Sequence, residues 1–305
     1  MSSGHDHHHH HAPPPKGGGN MAFGIAVGLN LAFVVAETVA GLLSGSIALI
    51  ADAGHNLSDV LALLLAWGAS ALAVRPPSER FTYGLKSSSI LAAIANAALL
   101  WVAIGVIAVE TIRRLAEPAP VASTAMIAVA AMGIVVNAAS ALLFARGRKS
   151  DLNVRAAFVH LMADAAVSAA VVLAGIFIAL TGHAWIDPVT SLIVTAVIAW
   201  SGWGLMRDSL RMGMLGVPDD IDLREVRHFL EGLPGVRHVH DLHVWPMSTT
   251  ETALTAHLII PEPRVGDAFL HHVAHELEHR FGIGHPTLQI EMGDSACALQ
   301  QSEAL

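Results

Sequence analysis

The chain has 305 residues, of which 53% are hydrophobic and 14% charged. Soluble domains carry about 25% charged residues, so this balance, with the long apolar runs, excludes an ordinary soluble protein and points to one that spans a membrane. The formal net charge is −8, from 25 acidic against 17 basic side chains, which leaves no basic footprint for nucleic acid. A single cysteine, Cys297, excludes an intramolecular disulfide framework, and 19 histidines point to metal more than to acid–base catalysis alone.

Residues 1–20 end in GHDHHHHHAPPPKGGGN. Runs of Pro and Gly cannot build a core, so this stretch reads as a disordered His-rich tail. Its histidines are either a weak native metal binder or a purification tag; the interrupting Asp6 leans toward the former. No apolar h-region occurs there, so no cleavable signal peptide is predicted.

Six apolar segments follow, at 21–43, 47–74, 85–115, 122–145, 154–180 and 186–206. Each reaches the roughly 20 residues a helix needs to cross the hydrocarbon. The predicted transmembrane domain is 21–210. Gly41 to Ser46 makes a tight turn, Pro118 and Pro120 break the chain after the third segment, and Asp187-Pro188 opens the sixth. Arg75, Arg80, Lys86, Arg146, Arg148, Lys149, Arg207 and Arg211 gather on one side of the six spans, against Arg113 and Arg114 on the other. Positive charge stays on the cytoplasmic side, so both termini are predicted there.

Beyond Gly216 the composition turns soluble. A helix is predicted over 218–230, with Ile221, Val226, Phe229 and Leu230 at helical spacing. Strands follow at 236–245 and 251–260 around a Ser-Thr-rich turn, then a helix at 266–281 and a strand at 287–292. The order α-β-β-α-β predicts a small two-layer α+β domain over 211–295, with a tail at 296–305. About 80 residues bury only a modest core, which favours a dimer.

Residues 51–60, ADAGHNLSDV, hold His55 and Asp59, and residues 158–167, FVHLMADAAV, hold His160 and Asp164. Both read His-x-x-x-Asp, and on a helix positions i and i+4 share a face. Two such faces brought together offer two imidazoles and two carboxylates, a tetrahedral set that suits zinc. A lone histidine on an apolar helix is more often a hydrogen-bonded core residue. Two copies of the spacing, each inside its own span, are poorly explained that way, because hydrocarbon solvates charge badly. Glu37 and Asp52 are further acids at membrane depth; they read as carboxylates that hold an imidazole N–H or join helices. In the soluble part His240, His243, His257 and Glu291 fall on predicted strands, with Asp241 and His243 expected on one face and His240 on the other. Asp267, His271 and His275 follow one another at four-residue spacing on the second helix, with His272 and His279 beside them, and suit either metal or a solvated face. His285 and Cys297 are additional candidates. No G-x-S-x-G, Walker A or dinucleotide fingerprint is present, so ATP-driven pumping has no support.

The stretches SGSIALIADAGHNLSDVLAL, RFTYG, DLNVRAAFVHLMADA, WIDPVTSL, GVPDDID, HDLHVW and HPTLQIE together resemble the cation diffusion facilitator family over nearly all the chain after Asn20. The resemblance implies a homodimer with six helices per protomer, a cytoplasmic domain of the metallochaperone-like α+β type and proton-coupled export of zinc or related ions across a bacterial inner membrane. By that resemblance the transport site falls on His55, Asp59, His160 and Asp164, and His at the first position goes with zinc preference. His257, His285 and Glu291 match positions that hold metal in some members, His240 and Asp267 positions used in others. Some members pair a Lys near the start of the third span with an acid after the sixth; here Ser87 stands at that position, next to Lys86.

The sequence therefore predicts a secondary transporter in the lipid bilayer that exchanges cytoplasmic Zn²⁺, with Cd²⁺ and Co²⁺ as alternatives, for protons, and that is not an enzyme. A metal sensor without transport and a membrane metalloenzyme using Asp52 as base are the competing readings.

Overall fold

The computed structural model describes residues 19–73, 75–144, 152–261 and 266–293. The His-rich stretch before residue 19, the basic residues Arg146, Arg148 and Lys149, and Cys297 lie outside the described residues. The chain forms α1 (Gly19–Ser44), α2 (Ile47–Ala73), α3 (Ser88–Ala116), α4 (Ser123–Phe144), α5 (Leu152–Thr181), α6 (Ile186–Gly213), α7 (Leu223–Glu231), β1 (His238–Pro246), β2 (Thr252–Ile259), α8 (Asp267–Phe281) and β3 (His285–Glu291). Among the described residues α2 to α6 each contain a stretch long and apolar enough to cross a membrane, and α1 adds the apolar stretch Asn30–Ser44. The six-helix reading and the α-β-β-α-β order both agree with the sequence.

Several boundaries differ from it, among them the start of α7, expected at 218 and found at Leu223. The sixth helix continues to Gly213 because Leu, Met and Arg after residue 206 are good helix formers whatever their hydropathy. The third helix starts late, at Ser88, because the chain before it is turn, with Gly84 at φ 72°, where a side chain would be strained.

By packing, the chain divides into two units: one runs to Ala71 and resumes over Ala92–Arg207, and the other takes Leu72–Leu91 and the chain from Asp208 on. The first unit centres on Ile47, Leu49, Met126, Ala130, Val171, Val194 and Ile198. A Cβ at Gly175 of α5 would stand 2.7 Å from Ile127 Cγ1 of α4, so glycine there lets these two helices approach closely. Asp187, in the first turn of α6, caps a different helix. Its carboxylate accepts from Ser46 Oγ at 2.5 Å, from the Ile47 N–H at 2.8 Å and from the Ala48 N–H at 3.4 Å. Amides at the start of α2 have no partner within their own helix, and a buried anion beside them also opposes the helix dipole favourably. This contact fixes the start of α2, and with it the height of His55 and Asp59.

In the second unit Asp222 caps α7 by accepting from the Arg224 N–H at 2.8 Å. The sheet has the order β1-β2-β3, with β1 antiparallel and β3 parallel to the central β2. Its core is Val226, Leu230, Val239, Leu254, Leu258, Val273, Leu277 and Ile283. The register of β1 against β2 slips between His240 and His243, and Asp241 in that bulge has φ 50°. The stretch before α3 belongs to this unit. Lys86 pairs with Glu251, Ser87 Oγ donates to the Met247 carbonyl at 3.2 Å, and the Thr249 N–H donates to Ser89 Oγ at 3.1 Å. The basic residue next to Ser87 thus finds its acid after the sixth helix, in the turn between β1 and β2. Arg211 pairs with Asp219.

Candidate metal sites

His55 is the ninth residue of α2 counted from Ile47, and His160 the ninth of α5 counted from Leu152. At 1.5 Å per residue each lies about 13 Å inside its helix. Helical spacing puts Asp59 one turn beyond His55, and Asp164 one turn beyond His160. Packing of α2 on α5 then interleaves the two pairs. His55 Nε2 is 3.3 Å from Asp164 Oδ1 and 3.9 Å from Asp59 Oδ2. His160 Nε2 is 3.2 Å from Asp59 Oδ2 and 3.6 Å from Asp164 Oδ2. Each histidine faces the other helix's carboxylate more closely than its own, and the two rings meet edge to face with centroids 5.9 Å apart. Ligand atoms of His55, Asp59 and Asp164 all lie within 4.8 Å of one another. Zinc bonds of 2.0–2.2 Å need nitrogen and oxygen atoms about this far apart or slightly nearer, so small side-chain shifts suffice. Asp164 is buried, whereas the side chains of Asp59 and His160 are 31% and 33% exposed, so the group is open on one side.

Behind it sits a second polar layer. Asn56 Nδ2 donates to Glu37 Oε2 at 3.0 Å, and Ser168 Oγ donates to Asp52 Oδ2 at 3.0 Å. Both carboxylates are fully buried. The expected role of Glu37 and Asp52 in joining helices matches these contacts, which link α1 to α2 and α2 to α5.

The soluble unit has its own group. His240 and His257 are cross-strand partners on β1 and β2, with ring centroids 5.1 Å apart. Glu291 at the end of β3 puts Oε1 3.0 Å from His257 Nδ1 and Oε2 3.4 Å from His240 Nε2. Ligand atoms of the three lie within 4.8 Å of one another, and both histidines are buried. Neither ring nitrogen of His240 makes a hydrogen bond among the described residues. A buried imidazole without a hydrogen bond is costly, and a cation held with His257 and Glu291 would satisfy it, so the residues fit a zinc ion.

Two further residues that the resemblance offered as metal ligands, His285 beside His257 and Glu291 and Asp267 beside His240, stand outside this group. His285 is the first residue of β3, opposite Ala253, and its ring packs on Tyr83 at 5.4 Å between centroids. Six residues of strand separate it from Glu291, roughly 20 Å at 3.3 Å per residue, so one protomer cannot bring both to one ion. Asp267 begins α8, is exposed, and is outside the three-residue group. The alternation assumed for β1 holds only in part: Asp241 and His243 do meet, but Asp241 is not kept away from the side of His240 and His257. The bulge turns Asp241 so that Oδ1 is 3.1 Å from His243 Nε2 while Oδ2 is 3.6 Å from His257 Nε2. Sequence periodicity gives no warning of this, because a bulge is set by pairing with another strand. The α8 histidines 271, 272, 275 and 279 are exposed, and the rings of His275 and His279 lie 5.9 Å apart.

Both parts of the chain match known protein families. Residues 24–212 match the family described as the cation efflux transmembrane domain, and residues 218–292 the cation efflux protein cytoplasmic domain. The chain is 38% identical over 272 residues to the zinc transporter ZitB of Escherichia coli, covering 88% of this chain and 85% of that one. It is 36% identical over 297 residues to the metal cation efflux system protein CzcD of Cupriavidus metallidurans, covering 96% and 91%. It is 36% identical over 264 residues to a cadmium, cobalt and zinc/H(+)-K(+) antiporter of Bacillus subtilis, covering 85% of each. A solved structure of the metal-bound C-terminal domain of CzcD is similar at 33% identity over 23% of this chain and 99% of that one, with a TM-score of 0.22.

Proposed function

The chain belongs to the cation efflux, or cation diffusion facilitator, family of metal-efflux membrane transporters, and we propose that it carries Zn²⁺ out of the cytoplasm in exchange for protons. The observation behind this reading is the interleaved set of His55, Asp59, His160 and Asp164 inside α2 and α5. Two nitrogens and two carboxylate oxygens within the helices, in a group open on one side, suit Zn²⁺, and Cd²⁺ or Co²⁺ less well. Metal requires these groups deprotonated, so protons and zinc compete for them. Exposure of the set to the acidic side would protonate the histidines and release zinc there; return to the cytoplasmic side would reload it. Alternating access about a site within the bilayer is the general form of such a cycle.

The distribution of Lys and Arg supports cytoplasmic termini, which would put the soluble unit in the cytoplasm with its His240, His257 and Glu291 group reading cytosolic zinc. The modest core of that unit supports a homodimer.

Zinc flux into liposomes containing the purified protein tests the reading. Net zinc movement that ceases in Asp59→Ala is expected. Turnover of a substrate without net zinc movement would favour a metalloenzyme, and zinc binding without flux a sensor.

A further inference from the structure

We propose that Asp241 is the positioning residue of the cytoplasmic metal group: it holds the His257 ring so that Nδ1 faces Glu291 and His240. The proposal rests on the reading of His240, His257 and Glu291 as a metal site.

Three observations lead to it. The first is backbone conformation. Asp241 and Leu215 are the non-glycine residues with positive φ among the described residues, and Asp241 has φ 50° inside a strand. A non-glycine side chain occupies that region against its own sterics, and Asp tolerates it better than most. The second is the bulge. The β1–β2 register shifts between His240 and His243. Regular alternation would turn Asp241 away from His240 and from the cross-strand His257. The extra residue re-aims it to the same side. The third is the use of both imidazole nitrogens of His257. Nδ1 is 3.0 Å from Glu291 Oε1, and Nε2 is 3.6 Å from Asp241 Oδ2. A histidine that binds metal through one nitrogen usually gives the N–H of the other to a carboxylate, which fixes the tautomer and the ring plane and makes the ligand more basic. With Nδ1 toward the ion, Nε2–H points at Asp241. The other oxygen, Oδ1, is 3.1 Å from His243 Nε2, so the carboxylate is itself steadied from the exposed side. Glu291 is steadied in the same manner by Gln289, whose Nε2 donates to its Oε1 at 3.0 Å.

The backbone supplies a variant that separates positioning from folding. Glycine adopts φ 50° without steric cost, so Asp241→Gly removes the carboxylate while easing the bulge. Asp241→Asn keeps shape and tolerance of that conformation but offers Nε2–H a weaker, neutral acceptor.

The test uses the full chain in detergent, carrying Asp59→Ala and Asp164→Ala so that the helix-borne set is disabled, and titrated with Co²⁺ while its d–d absorption is recorded. The cytoplasmic signal is the part that vanishes when His257→Ala is added to the same background. Asp241→Gly and Asp241→Asn are expected to weaken Co²⁺ at this site about 10- to 100-fold, with the number of ions bound and the tetrahedral band shape preserved. The metal-free melting temperature should be unchanged in Asp241→Asn and unchanged or raised in Asp241→Gly. Unaltered affinity in both variants would overturn the proposal. So would loss of one bound ion or a new band shape, which would make Asp241 a ligand. If no absorption depends on His257 even with Asp241 present, the metal site itself is wrong, and that result is distinct from the others.

Discussion

Asp59 and Asp164 each lie within 3.3 Å of the histidine on the opposite helix, so removing either leaves an unfilled corner and takes from one imidazole its nearer carboxylate. Asp59→Ala and Asp164→Ala are each expected to reduce zinc flux to background while the purified protein keeps its melting behaviour, read from liposome uptake and thermal unfolding side by side. His55→Asp exchanges a nitrogen for a harder oxygen and adds charge, so the ratio of zinc to cadmium flux should fall. An unchanged ratio in one vesicle preparation would place selectivity outside this residue. The four residues were legible in the sequence because each pair is local: a spacing of four on one helix needs no knowledge of the fold. Asp187 was not legible. Its partners Ser46, Ile47 and Ala48 are about 140 residues away, and no pattern within the sixth segment distinguishes a carboxylate that caps another helix from one that starts its own. Asp187→Ala should lower the melting temperature through loss of three buried hydrogen bonds, each worth about 1 kcal/mol or more to a charged acceptor.

At the scale of elements, the helices were readable from their apolar length, which hydrocarbon imposes directly. The sheet was readable as strands but not as pairings. Parallel alignment of β3 on β2 brings Glu291, and not His285, to the His257 end of the sheet, and the β1 bulge turns Asp241 toward His257. Both are properties of register between strands far apart in sequence, where a shift of one residue exchanges every side chain between faces. Close helix packing is similarly hidden. Gly175→Val would set a branched side chain against Ile127, whose Cγ1 is 2.7 Å from the Cβ position. Overpacking of this kind costs about 1–3 kcal/mol and would push α5, with His160 and Asp164, away from α4. A lowered melting temperature and reduced zinc flux are expected, and Ile127→Ala in the same chain should recover part of both by restoring room. Equal losses in the single and double variants would mean that the clash with Ile127 is not their cause.

For the whole molecule, composition separated an apolar part from a soluble one but missed that Leu72–Leu91, although flanked by two spanning helices, packs with the soluble unit. The reason is visible in its contacts: Lys86, Ser87 and Ser89 answer Glu251, Met247 and Thr249 across about 160 residues. The working cycle is also a property of the whole chain, since the ligand set does work only when it faces each side in turn. Protonation of His55 and His160 opposes zinc binding, so an acidic compartment promotes release into it. Liposomes with an acidic lumen and zinc outside are therefore expected to take up zinc faster than liposomes at equal pH, and an alkaline lumen should slow uptake below that level. Adding a protonophore with valinomycin in symmetrical potassium removes both the pH gradient and any membrane potential, and should return the rate to the equal-pH value. Proton movement out of the lumen should follow zinc movement in, and both should vanish in Asp164→Ala. Zinc uptake indifferent to the sign of the pH gradient would leave metal transport standing and remove proton exchange from it.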